Sequence, residues 1–217
     1  IGEATVTVIG IGNYTGKVTK NFEIVAVPVT GISLNKYSLT IEGRDKTEKL
    51  IATVTPYNAT DKTVKWTSSN TAVAVVDDDG NVTTTGYGEA TITASVNNGE
   101  YEESCQVKVN KYTITDMWVM NGDYEYTGKP ICPSVKAYYK HLLLTENVDY
   151  TVTYINNTEV GTATVIIEGK GDYTRTVKVD YNIVKATQSV NAVVGNSEIY
   201  IGDSTTITVN AIGDVSY

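Results

Sequence analysis

Residues 1–25 and 160–184 align without a gap at a constant offset of 159, and eleven of the 25 positions are identical, among them Gly2/Gly161, Ala4/Ala163, Val6/Val165, Tyr14/Tyr173, Val18/Val177 and Ile24/Ile183. Both copies carry the same local code. A first strand alternates apolar residues at Ala163, Val165 and Ile167, a Gly-x-Gly-Asn/Asp-Tyr-Thr turn follows, and a second strand alternates Val177, Val179, Tyr181 and Ile183. Alternation with period 2 is the pattern of half-buried strands and is incompatible with a helical stripe. The glycines therefore serve turn geometry, since a phosphate-binding loop needs a helix after it and here a strand follows.

Between the copies lies Val64-Lys65-Trp66-Thr67-Ser68-Ser69-Asn70, then Thr71-Ala72-Val73-Ala74-Val75-Val76, Asp77-Asp78-Asp79-Gly80-Asn81-Val82 and Gly86-Tyr87-Gly88-Glu89-Ala90-Thr91-Ile92-Thr93-Ala94. Val64 and Trp66 share a face in a period-2 strand, which places the indole between two sheets. Asp79-Gly80 closes a hairpin between Val73–Val76 and Val82–Thr84, because Asp-Gly accepts the positive φ of such turns. This order of parts resembles the bacterial immunoglobulin-like domain of group 2 (Big2), whose marks are an aromatic before Ser-Ser-Asn, a Val-Ala pair, an Asp/Asn-Gly turn and Gly-x-Ala-Thr-Ile-Thr. The predicted core anchors are Val64, Trp66, Ile92 and Val107 here, and Val165, Ile167, Tyr181 and Ile183 in the second module. Truncating Trp66 to Ala is expected to cost about 3 to 5 kcal/mol.

The second module begins with Tyr126-Thr127-Gly128-Lys129, continues with Asp149-Tyr150-Thr151-Val152 and ends in the repeated half. That succession resembles a tandem module of large secreted and wall-associated proteins of Firmicutes. The expected organisation is the back half of a repeat module at 1–26, a Big2-like sandwich at 27–110, a second β-sandwich at 111–185 and the start of a further Ig-like module at 186–217. In that last segment Glu198-Ile199-Tyr200-Ile201-Gly202-Asp203 is read as a strand equivalent to Ser38–Gly43, and Val215-Ser216-Tyr217 as the counterpart of Val64-Lys65-Trp66. The expected fold class is all-β: tandem immunoglobulin-like sandwiches in an extended array, joined by short linkers. The first residue, Ile1, falls in mid-pattern, which reads as an internal piece of a longer protein.

Composition agrees. Sixteen Tyr against one Phe, with abundant Val and Thr, suits pleated, half-exposed surfaces. With 17 Lys+Arg against 25 Asp+Glu the net charge is −8, which repels phosphate backbones and anionic lipid, so neither nucleic acid nor membrane insertion is expected. No apolar run is long enough for a spanning helix. Cys105 alternates in phase with Val107 and Val109 and reads as an inward small hydrophobe. Cys132 falls in the other module, so no intramodule disulfide is expected.

Little in the chain points to chemistry. His141 is the sole histidine, in Lys140-His141-Leu142, and no Gly-x-Ser-x-Gly elbow accompanies it. One His and two distant Cys do not make a zinc site. Asp77, Asp78 and Asp79 are weak Ca²⁺ candidates whose spacing misses the EF-hand pattern. Glu102-Glu103 and Asp149 could serve a glycosidase only if the fold paired them. Lys108 and Asn182 fall in the outward phase of their strands, against an isopeptide crosslink. Tyr112, Tyr124, Tyr126, Tyr138 and Tyr139 could stack sugar rings or could cover core edges. Tyr138 and Tyr139, being adjacent, must face opposite sides.

No enzyme, cofactor or metal is therefore expected. The resemblance implies a non-catalytic stalk segment of a cell-surface, wall-associated or secreted Gram-positive protein that supports adhesion, with neighbouring modules of the same chain as its partners. Two alternatives stand beside it: an adhesin module that binds a host surface glycoprotein or a glycan itself, and a spacer in a secreted carbohydrate-active enzyme.

Overall fold

The computed structural model describes residues 1–120, 122–187, 191–195, 198–202 and 204–210. Strands account for nearly all regular structure among them, the exception being one 3₁₀ turn at Asn97–Gly99. The fold class is all-β. By its contacts the chain divides into two compact units, Ile1–Tyr112 and Thr113–Tyr217.

The first unit contains a sandwich. One layer is a four-stranded sheet in the order Ser38–Glu42, Tyr101–Asn110, Gly88–Val96, Lys65–Ser68. The rest of the sandwich holds two smaller sheets, Gly31–Leu34 with Ala52–Thr55, and Thr47–Lys49 with Asn81–Thr84 and Ala74–Val76. Alternation sets the core: Ala90, Ile92, Ala94 and Val96 from one strand and Cys105, Val107 and Val109 from its partner are buried, together with Leu34, Leu50 and Val82. Thr84 is the buried polar residue, and its hydroxyl is satisfied at both roles: it donates to the Gly43 carbonyl at 3.1 Å and accepts from the Lys46 amide at 3.1 Å. The predicted hairpin is present as Ala74–Val76 with Asn81–Thr84, and Gly80 has φ 81°.

The same unit begins with the hairpin Gly2–Ile9 and Lys17–Ile24, which forms a two-stranded sheet of its own with almost every residue exposed.

In the second unit a three-stranded sheet, Asp116–Val119, Val135–Tyr139 and Leu142–Leu143, accompanies a four-stranded sheet in the order Asp123–Glu125, Thr176–Val184, Gly161–Gly169, Tyr150–Ile155. Ile114, Ala137, Leu144 and Tyr150 pack with Ala163, Val165, Ile167, Tyr181 and Ile183 in one cluster. Arg175, at φ 112°, turns its guanidinium inward to donate to the carbonyls of Ile114 at 2.9 Å and Thr115 at 3.0 Å, closing one end of that core.

Beyond Val184, Asn191–Val194 pairs antiparallel with Ile207–Asn210. The strand expected at Glu198–Asp203 is not formed where it is described: Ile201 and Gly202 make a turn, and Ile199, Tyr200 and Ile201 are exposed. Ser38–Glu42 is held as a strand by its ladder to Tyr101–Asn110, and the described residues contain no such partner for 198–202. Asp203 and Val215-Ser216-Tyr217 lie outside the described residues.

Candidate functional site

The predicted core anchors separate into two groups. Ile92, Val107, Val165, Ile167, Tyr181 and Ile183 are buried, whereas Val64 and Trp66 are half-buried and pack on the cluster from its rim. Lys65–Ser68 is an edge strand, so the indole caps the end of the sandwich where the sequence placed it at the centre.

The acidic tip is taken up by its own turn. The Asp77 carboxylate accepts from the amides of Asp79 at 3.1 Å and Asn81 at 2.8 Å and from the Asn81 side-chain amide at 2.7 Å. These bonds, the Asn81 side chain foremost, hold the Asp77 carboxyl below its ordinary range. The Asp79 carbonyl accepts from the Lys49 ammonium. Among the described residues no group of three His, Cys, Asp or Glu converges as metal ligands would. Asp149 accepts the Thr145 amide at 2.8 Å within its own turn, and His141 lies in the exposed turn joining Val135–Tyr139 to Leu142–Leu143. Lys108 pairs with Glu89 at 3.4 Å, and Asn182 donates to Asp123 at 3.2 Å, both at the surface.

Tyrosines in the second unit clamp a strandless segment. Tyr181 donates to the Ile131 carbonyl at 2.7 Å, Tyr154 to the Pro133 carbonyl at 2.6 Å, and Asn157 to the Ile131 carbonyl at 3.3 Å. Tyr124 packs edge-on against Tyr181 at 5.6 Å and donates to the Met120 carbonyl at 2.5 Å. Burial, with Cys132 beside it, pushes the Tyr154 phenol up to about 12. Tyr139 meets Tyr173 edge-on at 6.1 Å, and Tyr112, in the first unit, places its hydroxyl beside Gly43. Within the second unit, Tyr138 and Tyr139 are successive residues of one strand and face opposite sides, and Tyr124 is engaged by Tyr181 and Met120.

The second unit also presents an exposed sheet face. In the three-stranded sheet Trp118 stands opposite Lys136, Asp116 opposite Tyr138, and Tyr138 opposite Leu143, so all five project from one side. Lys136 lies 5.8 Å from the Trp118 ring centre, and Trp118 is 49 % exposed. Trp118 was not among the sequence candidates. The alternation of Met117, Trp118 and Val119 was the available signal, since the two apolar neighbours must take the core side. In the first unit a polar cleft of 590 Å³ runs along Thr63, Lys65 and Thr67 to Ser95, Asn98 and Glu102. No helix among the described residues is long and apolar enough to cross a membrane.

Three relatives match part of the chain. An uncharacterized protein of Clostridium acetobutylicum is 39 % identical over 94 residues, which is 42 % of this chain and 23 % of that one. An alpha-L-arabinofuranosidase of Bifidobacterium longum subsp. longum is 46 % identical over 85 residues, 39 % of this chain and 8 % of the enzyme. An Ig-like virion protein of Serratia phage KSP90 is 35 % identical over 100 residues, 46 % of this chain and 38 % of that one. This chain therefore spans less than two fifths of each relative's length. Among solved structures, domains 4 and 5 of the S-layer protein SbsC align with a TM-score of 0.31 at 20 % identity, over 73 % of this chain and 100 % of that one. The sandwich has a firmer assignment: residues 28–107 match the family of the bacterial Ig-like domain (group 2).

Proposed function

We propose that this chain is a non-catalytic structural segment of a multi-domain bacterial protein, secreted or held at the cell surface, and that it bears mechanical load in support of adhesion. The observation that carries the reading is a parallel pairing found in both units. Ser38–Glu42 runs parallel to the last strand of its sandwich, Tyr101–Asn110, and Asp123–Glu125 runs parallel to Thr176–Val184. The first ladder is closed by backbone bonds at its ends, Gln106 to Tyr37 and Gly43 to Asn110, each 2.9 Å. Tension entering at the start of the early strand and leaving at the end of the late one slides the two past each other. All the ladder bonds then share the load, whereas pulling two adjacent strand ends apart breaks them one at a time.

Single-molecule pulling tests this. Handles on cysteines at Lys36 and Asn110 load the ladder in shear, and handles at Lys36 and Glu103 peel it, with Cys132→Ser removing the exposed thiol. The reading requires a clearly higher unfolding force in shear. Equal forces in the two geometries would remove its basis.

A second reading is favoured by the Trp118 face, whose ring, cation and flanking Tyr138 suit the C–H faces and hydroxyls of a sugar. The likeness to part of an alpha-L-arabinofuranosidase makes alpha-L-arabinofuranosides the first ligands to try. Glycan-array binding that Trp118→Ala abolishes would replace the stalk with an adhesin or carbohydrate-targeting module.

A further inference from the structure

The hairpin at residues 1–24 and its repeat in the second unit are the same structure with different surroundings. Their registers coincide at the offset of 159: Gly2↔Ile24 matches Gly161↔Ile183, Ala4↔Phe22 matches Ala163↔Tyr181, and Val8↔Val18 matches Ile167↔Val177. Their turns coincide as well. Gly10 donates to the Gly16 carbonyl at 2.9 Å as Gly169 does to Arg175 at 2.9 Å, and Tyr14 donates to Ile11 as Tyr173 does to Lys170. Burial does not coincide. Val165 and Ile167 are 0 % exposed and Tyr181 3 %, while Val6, Val8 and Phe22 are 52 %, 66 % and 53 % exposed.

The second unit shows what this face is shaped to receive. There the hairpin's inner side packs with Ile114, Ala137 and Leu144, and with Tyr150 from the neighbouring strand of its own sheet. Its first strand takes Tyr150–Ile155 along one edge, and its second takes Asp123–Glu125 along the other. Both corresponding edges of the hairpin at 1–24 are unpaired among the described residues, because it stands as a two-stranded sheet. A lone hairpin with an uncovered apolar side is marginal in water. One position is adapted to exposure: Lys20 stands where the second unit has Val179, and a lysine stem can lie on an apolar surface with its ammonium at the rim.

We propose that the face formed by Ala4, Val6, Val8, Phe22 and Ile24 is a docking surface for a β-segment built like residues 113–157 of this chain, which adds a strand at each edge of the hairpin and covers its apolar side. The front half already in this chain is engaged by its own hairpin, as the complete burial of Val165 and Ile167 shows. The occupant is therefore a further segment of that kind and not the front half of a second copy. The inference does not depend on the load-bearing reading.

The test joins a copy of residues 111–159 ahead of Ile1, so that Glu159 runs into Ile1 as it runs into Val160 in the repeat, and compares this extended chain with the original. Hydrogen exchange at the hairpin amides and tryptic cutting after Lys17 and Lys20 are measured in chains whose Trp118, and its copy in the added segment, are replaced by Phe, so that Trp66 fluorescence checks that the neighbouring sandwich stays folded. The expected result is hairpin exchange slowed by about 100-fold or more, and lysines protected, only in the extended chain. Phe22→Asp in the extended chain should abolish that protection while Trp66 fluorescence is unchanged. Equal exchange in the two chains would overturn the proposal. So would protection in the original chain that rises with its concentration, since a second copy would then be the occupant.

Discussion

Gly80 lies against the indole of Trp66. A methyl group at its Cα would come within 2.8 Å of the ring carbon Cζ2 and 2.6 Å of the Leu50 carbonyl oxygen. The same glycine has φ 81°, and its carbonyl accepts the Leu50 amide at 2.9 Å. A turn requirement and a packing requirement therefore fall on one residue.

Gly80→Ala should destabilise the first sandwich by about 2–4 kcal/mol, since both left-handed strain and contact with an immovable backbone oxygen oppose the methyl. Urea unfolding followed by Trp66 fluorescence, in a Trp118→Phe background, measures it. A loss below about 0.5 kcal/mol would mean that the Asp79-Gly80 turn shifts freely.

Ile92→Ala should cost more than Trp66→Ala although tryptophan is the larger residue. Ile92 is wholly buried in a central strand, whereas Trp66 caps the rim from an edge strand. We expect about 3–4 kcal/mol against about 2–3 kcal/mol, read from equilibrium unfolding followed by circular dichroism.

The Asp77 carboxyl titrates below its unfolded value because the Asn81 side chain and backbone amides bond its anion. Its contribution is thus present above about pH 4 and is lost as the pH falls through the lowered folded value. Thermal melts between pH 5 and pH 2 should show the first sandwich weakening less steeply in Asp77→Asn than in the parent. Asp61, lowered chiefly by the Thr63 amide, adds to the parent slope and remains in the variant.

At the alkaline end the second unit should weaken. The Tyr154 phenol is raised to about 12 by burial, and those of Tyr150 and Tyr181 are raised as well. Stability is full below about pH 10, where unfolded tyrosine ionises, and falls as the pH climbs toward the folded value. Tyr154→Phe should cost about 1 kcal/mol at neutral pH through loss of the bond to Pro133 and should flatten the alkaline decline. Urea midpoints at pH 8, 10 and 11 compare the two chains.

The two thiols should react in separate phases. Cys132 is exposed, whereas Cys105 is buried and its thiol is pushed upward by that burial. A chromogenic disulfide reagent should titrate one thiol at once and the second only at the rate of unfolding, and Cys132→Ser should remove the fast phase alone.

Strand placement was legible because its causes are local. Period-2 alternation marked Gly161–Gly169 and Thr176–Val184 as strands, and the inward phase of Cys105 followed from its spacing to Val107 and Val109. Asp79-Gly80 marked its turn because few other residues accept that backbone conformation. The roles of Asp77 and the tyrosines were less legible, because a carboxylate cluster or a run of aromatics reads the same whether its polar atoms face solvent or bond the backbone. Asp77 is used by Asn81 inside its own turn, whereas Tyr154 is used by Pro133 through a contact that depends on where the chain returns.

The sequence by itself determined that residues 2–24 and 161–183 form the same hairpin, down to register and turn bonds, since each copy carries the information for its own strands and turn. Only the tertiary structure decided that Val165 is buried and Val6 exposed, and that the Trp66 strand lies at a sheet edge. Burial belongs to a residue and its partner together. Two strands of the same pattern therefore differ wherever one of them has been given a partner and the other has not.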